Sequence, residues 1–314
     1  MPDFFLGKSK VSVILHHTNM QEAFLKYLEV EKGYSAHTVL SYGTDLRQFF
    51  TFCGYLPGSE VPSAVTHRQI RAWVAALINQ GVTPRSVNRK LSTLRQYYHY
   101  LNITGAFSGD PTQKVVAPKV AKRLPVYVKD SDTQKLFERE IFPEGYHGLR
   151  DKLIIYMLYF TGIRLSELVG LSLQRVDLKA GTIKVMGKGS KERIVPIHPE
   201  LLPLVREYLN ARQSEFENVT TTALFLTDKG NQVYSKYVYR VVNRYLSLVT
   251  TLEKKSPHVL RHTFATHLLN NGADLNAIKE LLGHANLGAT QVYTHSSFQK
   301  LKSAYVKAHP RATN

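Results

Sequence analysis

A single cysteine, Cys53, is all the thiol this 314-residue chain carries. One thiol closes no internal disulfide, which fits a reducing, cytoplasmic compartment and leaves the fold to its apolar core. Long apolar runs are missing too. Nothing approaches the roughly 18 residues of a membrane-span candidate, and no signal-peptide pattern opens the sequence. Acidic residues are scarce beside basic ones: 24 Asp plus Glu against 41 Lys plus Arg. No carboxylate cluster is left for two-metal phosphoryl transfer. Gly187-Lys188-Gly189-Ser190 lacks the full P-loop spacing, so no ATP site is expected. His262 and His267 stand five apart, which puts them on different faces of a helix, and no cysteine pair supports them. No metal and no cofactor are expected.

What is present in excess is positive charge, a formal +17. Such a surplus calls for a polyanionic partner. A membrane surface would be met by a basic amphipathic anchor or a clustered tail, and neither is visible. The cations are spread over both halves, as suits a protein that surrounds nucleic acid. With 43% apolar residues the length allows two domains, each with its own core.

The first domain, 1–104, reads as four helices. Asn19 to Lys32 carries Ala23, Phe24, Tyr27, Leu28 and Val30, and stops at Gly33. Ser35 caps a second helix with Val39, Tyr42, Leu46, Phe49 and Phe50 on one stripe, ending at Gly54. Thr66 opens a third, with Ile70, Trp73, Val74 and Leu77 inward, and Thr83-Pro84 a fourth. On that fourth helix Val87, Leu91, Leu94, Tyr98 and Leu101 face the core. Its other side bears Arg85, Asn88, Arg89, Ser92, Arg95 and Gln96, donors suited to phosphates and base edges. An ordinary solvated face is the simpler reading of such residues; DNA contact is favoured only when the net charge is joined by the family resemblance given below. Thr38, Ser41 and Arg47 on the second helix are further DNA-binding candidates.

From 105 to 124 periodicity fails among Gly105, Gly109, Pro111 and Pro118, with Lys114, Lys119, Lys122 and Arg123 interleaved. This reads as a basic interdomain linker. The second domain, 125–314, is mostly helical. Between its helices, 182–186 and 193–197 alternate like two strands of an antiparallel hairpin, with Lys188 near the tip.

Six residues of the second domain belong together chemically: Arg164, Lys188, His258, Arg261, His284 and Tyr293. A core would not accept so much positive charge. Gathered at one point, these groups suit a phosphodiester whose transition state spreads negative charge over its oxygens. A guanidinium fork meets two such oxygens at once. Tyr293 is one of 18 tyrosines, most of which must be packing residues; it stands apart by following His284 by nine positions, ahead of Thr294-His295. A phenol there is a candidate nucleophile. His258 and Arg261, three apart, share one helix face. Glu167 lies three residues beyond Arg164, at ion-pair spacing, where it can orient the guanidinium.

These motifs, in this order, resemble the tyrosine recombinases, and within them the Xer type. The likeness rests on Thr161-Gly162-Ile163-Arg164-Leu165-Ser166-Glu167-Leu168, Gly187-Lys188-Gly189, Pro257-His258-Val259-Leu260-Arg261-His262, Leu282-Gly283-His284 and Tyr293. The resemblance implies a mainly α, two-domain fold: a helical, SAM-like core-binding domain and a catalytic domain with a small antiparallel β element, closing as a C-shaped clamp. It implies a 3′-phosphotyrosine intermediate, a Holliday junction, and Lys188 as the acid for the leaving 5′-oxygen. It implies homo- or heterotetramers on two double-stranded DNA sites, dif-like sites for resolving chromosome dimers, and a septal DNA translocase as activator. A final helix with Phe298, Leu301, Ala304 and Tyr305 on one stripe would by sequence alone more commonly dock on its own domain, whereas the resemblance implies docking on a neighbouring protomer. Three alternatives remain: integrase of a mobile element, type IB topoisomerase, and a silent DNA-binding protein. About eighteen residues precede the first helix, too few for the accessory-arm domain of many integrases.

Overall fold

Helix α1 (Met20–Val30), α2 (Ala36–Phe52), α3 (His67–Asn79) and α4 (Pro84–Ile103) build the first of two units, Met1–Arg123 and Leu124–Asn314. The computed structural model describes residues 20–55, 65–121, 126–137, 141–187, 192–217, 219–283, 303 and 305–309. Three of the four helices start on side-chain caps. Ser35 accepts from the Thr38 amide, Thr66 from that of Gln69, and Thr83 from that of Ser86. Gln69 returns a bond to the Thr66 amide at 2.9 Å, completing a capping box. Pro84 follows Thr83 at the first helical position, where a missing N–H costs nothing.

The stripe expected on α4 is the core of this unit. Val87, Leu91, Leu94, Tyr98 and Leu101 are buried, together with Phe24 and Leu28 of α1, Leu46 and Phe49 of α2 and Trp73 of α3. Each such side chain contributes about 1.5–3 kcal/mol when fully buried. Val30, grouped with the apolar stripe of α1, is instead 70% exposed, because the helix ends there.

A charge lies inside this packing. The Asp45 carboxylate on α2 accepts from both terminal nitrogens of Arg89, from Lys90 Nζ at 2.9 Å and from Thr93 Oγ1 at 3.0 Å. Lys90 is itself buried, its ammonium 5.9 Å from the Trp73 ring centroid. Buried ions hold together only when every one is paired, and this cluster staples α2 to α4.

The segment expected as a linker, 105–124, is in its described part built into the first unit. Val115 is buried in the core, and Arg71, Asn88 and Arg95 donate to the carbonyls of Lys114, Pro118 and Val115 at 2.8, 3.0 and 3.4 Å. A stretch without repeating backbone bonds thus finds side-chain donors for its carbonyls. The two units part between Arg123 and Leu124.

The second unit contains α5 (Asp130–Leu136), α6 (Tyr146–Thr161), α7 (Leu165–Val169), β1 (Val176–Asp177), β2 (Thr182–Met186), β3 (Glu192–Pro196), α8 (Leu201–Glu215), α9 (Ser235–Val249), α10 (Pro257–Asn270) and α11 (Leu275–Leu282). Helix α6 runs through the middle of the core, with Leu153, Ile154, Ile155 and Leu158 fully buried. The expected hairpin is the β2–β3 pair, antiparallel from Thr182 opposite Pro196 to Met186 opposite Glu192. Strand β1 adds a third, two-residue member beside β2. Two residues are too few to show alternation in a sequence.

The chain end shows where part of the last helix goes. Tyr305 is buried, and its hydroxyl donates to the Phe160 carbonyl at 2.6 Å; burial pushes its pKa well up. Asn271 Nδ2 donates to the Ala308 carbonyl at 3.1 Å, and the His309 ring stacks on Phe160 at 4.6 Å. Tyr305 packs within its own unit, in the aromatic setting of Phe160 and Phe264. Phe298, Leu301 and Ala304 lie outside the described residues.

Candidate active site

The site begins where α6 stops. Gly162 takes a left-handed turn, φ 59°, and a Cβ there would come within 2.4 Å of the Phe264 ring. Only glycine satisfies both demands. The turn places Arg164 at the N-cap of α7 and Glu167 three residues inside it. The Glu167 carboxylate accepts from the Arg164 amide at 2.7 Å and from Arg164 Nη1 at 2.9 Å, so one side chain caps the helix and orients the guanidinium.

Arg261 comes from α10, one turn beyond His258, which is exposed near the start of that helix. Its Nη1 donates to the Gly162 carbonyl at 2.5 Å and its Nη2 to the Leu282 carbonyl at 2.7 Å. Burial, with the Arg164 charge adding to it, lowers its pKa to about 10. At neutral pH it remains a cation.

The end of α11 is the meeting point. Three consecutive carbonyls each accept from a different arginine: Leu281 from Arg193 Nε at 3.2 Å, Leu282 from Arg261, and Gly283 from Arg164 Nη2 at 3.0 Å. The last carbonyls of a helix have no partner within it and form the negative end of its dipole. Here that end collects guanidiniums. His284 is the next residue in the chain; it lies outside the described residues, as do Lys188 and Tyr293.

Arg193 was not singled out from sequence. It sits on β3, and its Nη1 and Nη2 reach the two Glu167 oxygens at 2.5 and 2.9 Å. A signal for it was available. Within β3, Arg193 and Val195 point inward while Glu192 and Ile194 point outward, an arginine in and an isoleucine out. Burial pushes the Glu167 carboxyl up, but bonds from Arg193 and Arg164 outweigh it and hold the pKa below the ordinary 4.5.

His267 is buried on α10, with Nε2 donating to the Val128 carbonyl at 3.1 Å and 2.9 Å from an Asp130 carboxylate oxygen, and Nδ1 bonded to the Tyr159 hydroxyl at 3.0 Å. Burial lowers its pKa, outweighing the nearby Asp130 carboxylate and the Val128 carbonyl, which raise it.

On the first unit, Arg85, Arg89, Ser92 and Arg95 form one exposed stripe of α4, with Asn88 and Gln96 half-buried beside it. Arg85 has no hydrogen-bond or ion-pair partner among the described residues, whereas Arg89 is engaged by Asp45 and Arg95 reaches the Val115 carbonyl. On α2, Ser41 and Arg47 are exposed and Thr38 is half-buried, its hydroxyl 2.9 Å from that of Ser35.

Two family models match the chain: "Phage integrase, N-terminal SAM-like domain" over residues 22–104, and "Phage integrase family" over residues 132–300. The tyrosine recombinase XerC of Chlorobaculum tepidum is 39% identical, the match covering 92% of this chain and 94% of the relative. That of Pelobacter propionicus is 41% identical over 92% and 95%. Among solved structures, the XerH site-specific recombinase bound to its difH substrate shares the fold at a TM-score of 0.65 and 24% identity, over 90% of this chain and 83% of that one. The Tn1549 transposon integrase with circular-intermediate DNA does so at 0.67 and 17%, over 91% and 99%.

Proposed function

Because the chain belongs to the phage integrase family, the tyrosine recombinases, which cut and rejoin DNA through a tyrosine nucleophile, we propose that it is an Xer-type recombinase resolving chromosome dimers at a dif-like site. The observation that carries the chemistry is the seating of Arg164 and Arg261 on neighbouring carbonyls at the end of α11, directly before His284. That places two guanidiniums side by side with nitrogen donors left over for a phosphate. In this reading they clamp the non-bridging oxygens of the scissile phosphate. The Tyr293 oxygen attacks phosphorus, the P–O5′ bond breaks, and a 3′-phosphotyrosine forms. Lys188 gives its proton to the leaving 5′-oxygen, and His258 and His284 hydrogen-bond the phosphate or take the phenol proton. A 5′-hydroxyl from the partner duplex then reverses the step. The phosphotyrosine bond conserves the energy of the broken phosphodiester, so no nucleotide is consumed.

Two DNA sites and four protomers, identical or from two related recombinases, would exchange strands pairwise through a Holliday junction, with a septal DNA translocase as trigger. The XerC relatives, similar over nine-tenths of both chains, support this biology over mobile-element integration. Sequencing DNA trapped covalently on the protein in its host tests it. We expect one short chromosomal locus with inverted half-sites; a spread of reads over the ends of mobile elements would overturn the dif-like assignment.

The α4 stripe is assigned to the DNA backbone. Arg85→Ala and Arg95→Ala should each reduce the slope of log affinity against log salt by roughly one unit, the signature of one lost phosphate contact. Arg89→Ala should also destabilise the unit, since Asp45 and the buried Lys90 lose part of their cluster. Unchanged slopes for Arg85 and Arg95 would take α4 off the DNA.

A further inference from the structure

Arg193 has no part in the clamp just described, yet its contacts join three segments that carry it. We propose that Arg193 is a positioning residue for strand cleavage: it fixes Arg164 through their shared carboxylate, Glu167, and fixes the approach to His284 through the Leu281 carbonyl. The inference rests on the phosphate-clamp reading of Arg164.

The carboxylate is the hinge of the argument. Its Oε1 takes Nη1 of Arg164 and Nη1 of Arg193; its Oε2 takes the Arg164 amide and Nη2 of Arg193. Four donors fill the four acceptor positions of one buried group, which then has a single orientation. Without Arg193 one donor on each oxygen is lost, and the carboxylate can tilt about its remaining bonds. Arg164 would tilt with it, since its side chain is 30% exposed and is held by Glu167 and the Gly283 carbonyl.

The third nitrogen extends the effect. Arg193 Nε holds the Leu281 carbonyl, and the guanidinium packs on Gly283: a Cβ there would lie 3.0 Å from Cδ, Cζ and Nε. Gly283 has φ 65°, so glycine is required there for conformation and for contact alike. Arg193 is also the second residue of β3, just past the hairpin loop that bears Lys188. Only a planar fork with a third donor on its stem serves both oxygens and a carbonyl together; an ammonium does not.

The test uses the full chain, a nicked suicide substrate carrying the site, and single-turnover conditions below the melting temperature. Arg193→Met should bind one site with affinity within about 2-fold of wild type, as the side chain is buried, yet form adduct about 100-fold more slowly, the scale of a displaced reacting group. Arg193→Lys, which retains the charge, should be slowed about 10-fold and supplies the reading if the Met variant does not fold. A substrate with sulfur at the bridging 5′ position separates two routes. Sulfur leaves without a proton and should rescue Lys188→Ala, but not Arg193→Met if the defect lies in Arg164. Wild-type rates in either folded variant, or rescue by sulfur, would overturn the assignment. Failure of the wild-type protein to form adduct on the same substrate would instead remove the recombinase reading beneath it.

Discussion

Tyr293→Phe is expected to bind its DNA site as tightly as the wild type and to form no covalent adduct. The substitution removes one oxygen and leaves the ring, the clamp and the charge untouched, so binding and chemistry come apart completely. An ordinary phenol ionises near pH 10, so in the proposed site the guanidiniums and imidazoles would be part of what makes it reactive. Denaturing electrophoresis after incubation with a nicked suicide duplex reads the result directly. A protein–DNA band from the Phe variant would dismiss Tyr293 as nucleophile and return the question to the other tyrosines. Tyr305 is a poor replacement, since its hydroxyl is buried and bonded to Phe160.

Glu167→Ala should damage both the fold and the reaction. It leaves Arg193 buried without its bidentate partner and Arg164 without either of its bonds to the carboxylate. Removing one side of a buried ion pair costs about 3–5 kcal/mol, and at about 2–4 °C per kcal/mol the melting temperature should fall by roughly 10 °C. Glu167→Gln keeps the shape and should lose less. The pH dependence has a definite sign. Because the folded-state pKa of Glu167 lies below 4.5, its charge stabilises the protein fully above that value and progressively less as pH falls through the folded pKa. The melting temperatures of wild type and Glu167→Gln should therefore converge as pH drops below 4.5. A gap that stays constant with pH would mean the carboxylate's charge is not what stabilises the site.

The first unit was largely legible because its signals are local. Ser35, Thr66 and Thr83 are caps a few residues from the amides they serve, and the α4 stripe repeats at steps that any helix must honour. Of the candidate site, the pairing of Arg164 with Glu167 is legible in their spacing, but the architecture that brings Arg261 to them is not. That Arg164, Arg193 and Arg261 meet at the end of α11 depends on pairs 119, 88 and 21 residues apart, and no periodicity encodes such distances. Asp45 and Lys90 were passed over for a related reason. Each looks like a surface charge until its partner, 45 residues away, is known. The extent of 105–124 as a linker is not legible in sequence, because proline and glycine report missing regular structure, which Val115 and its neighbours reconcile with burial. Strand β1 was too short to leave a pattern.

The arginines at α11 lean on main-chain oxygens, and this shapes how the gene can vary. Replacing Leu281 or Leu282 by another apolar residue alters packing but leaves every carbonyl where it was. Deleting or inserting one residue within α11 is a different event. It turns the helix end by about 100° and shifts it about 1.5 Å along the axis, so that each guanidinium meets the wrong carbonyl or none. The element is thus tolerant of spelling and intolerant of length. Drift at this site should run through substitution, with insertions and deletions confined to segments beyond the helix.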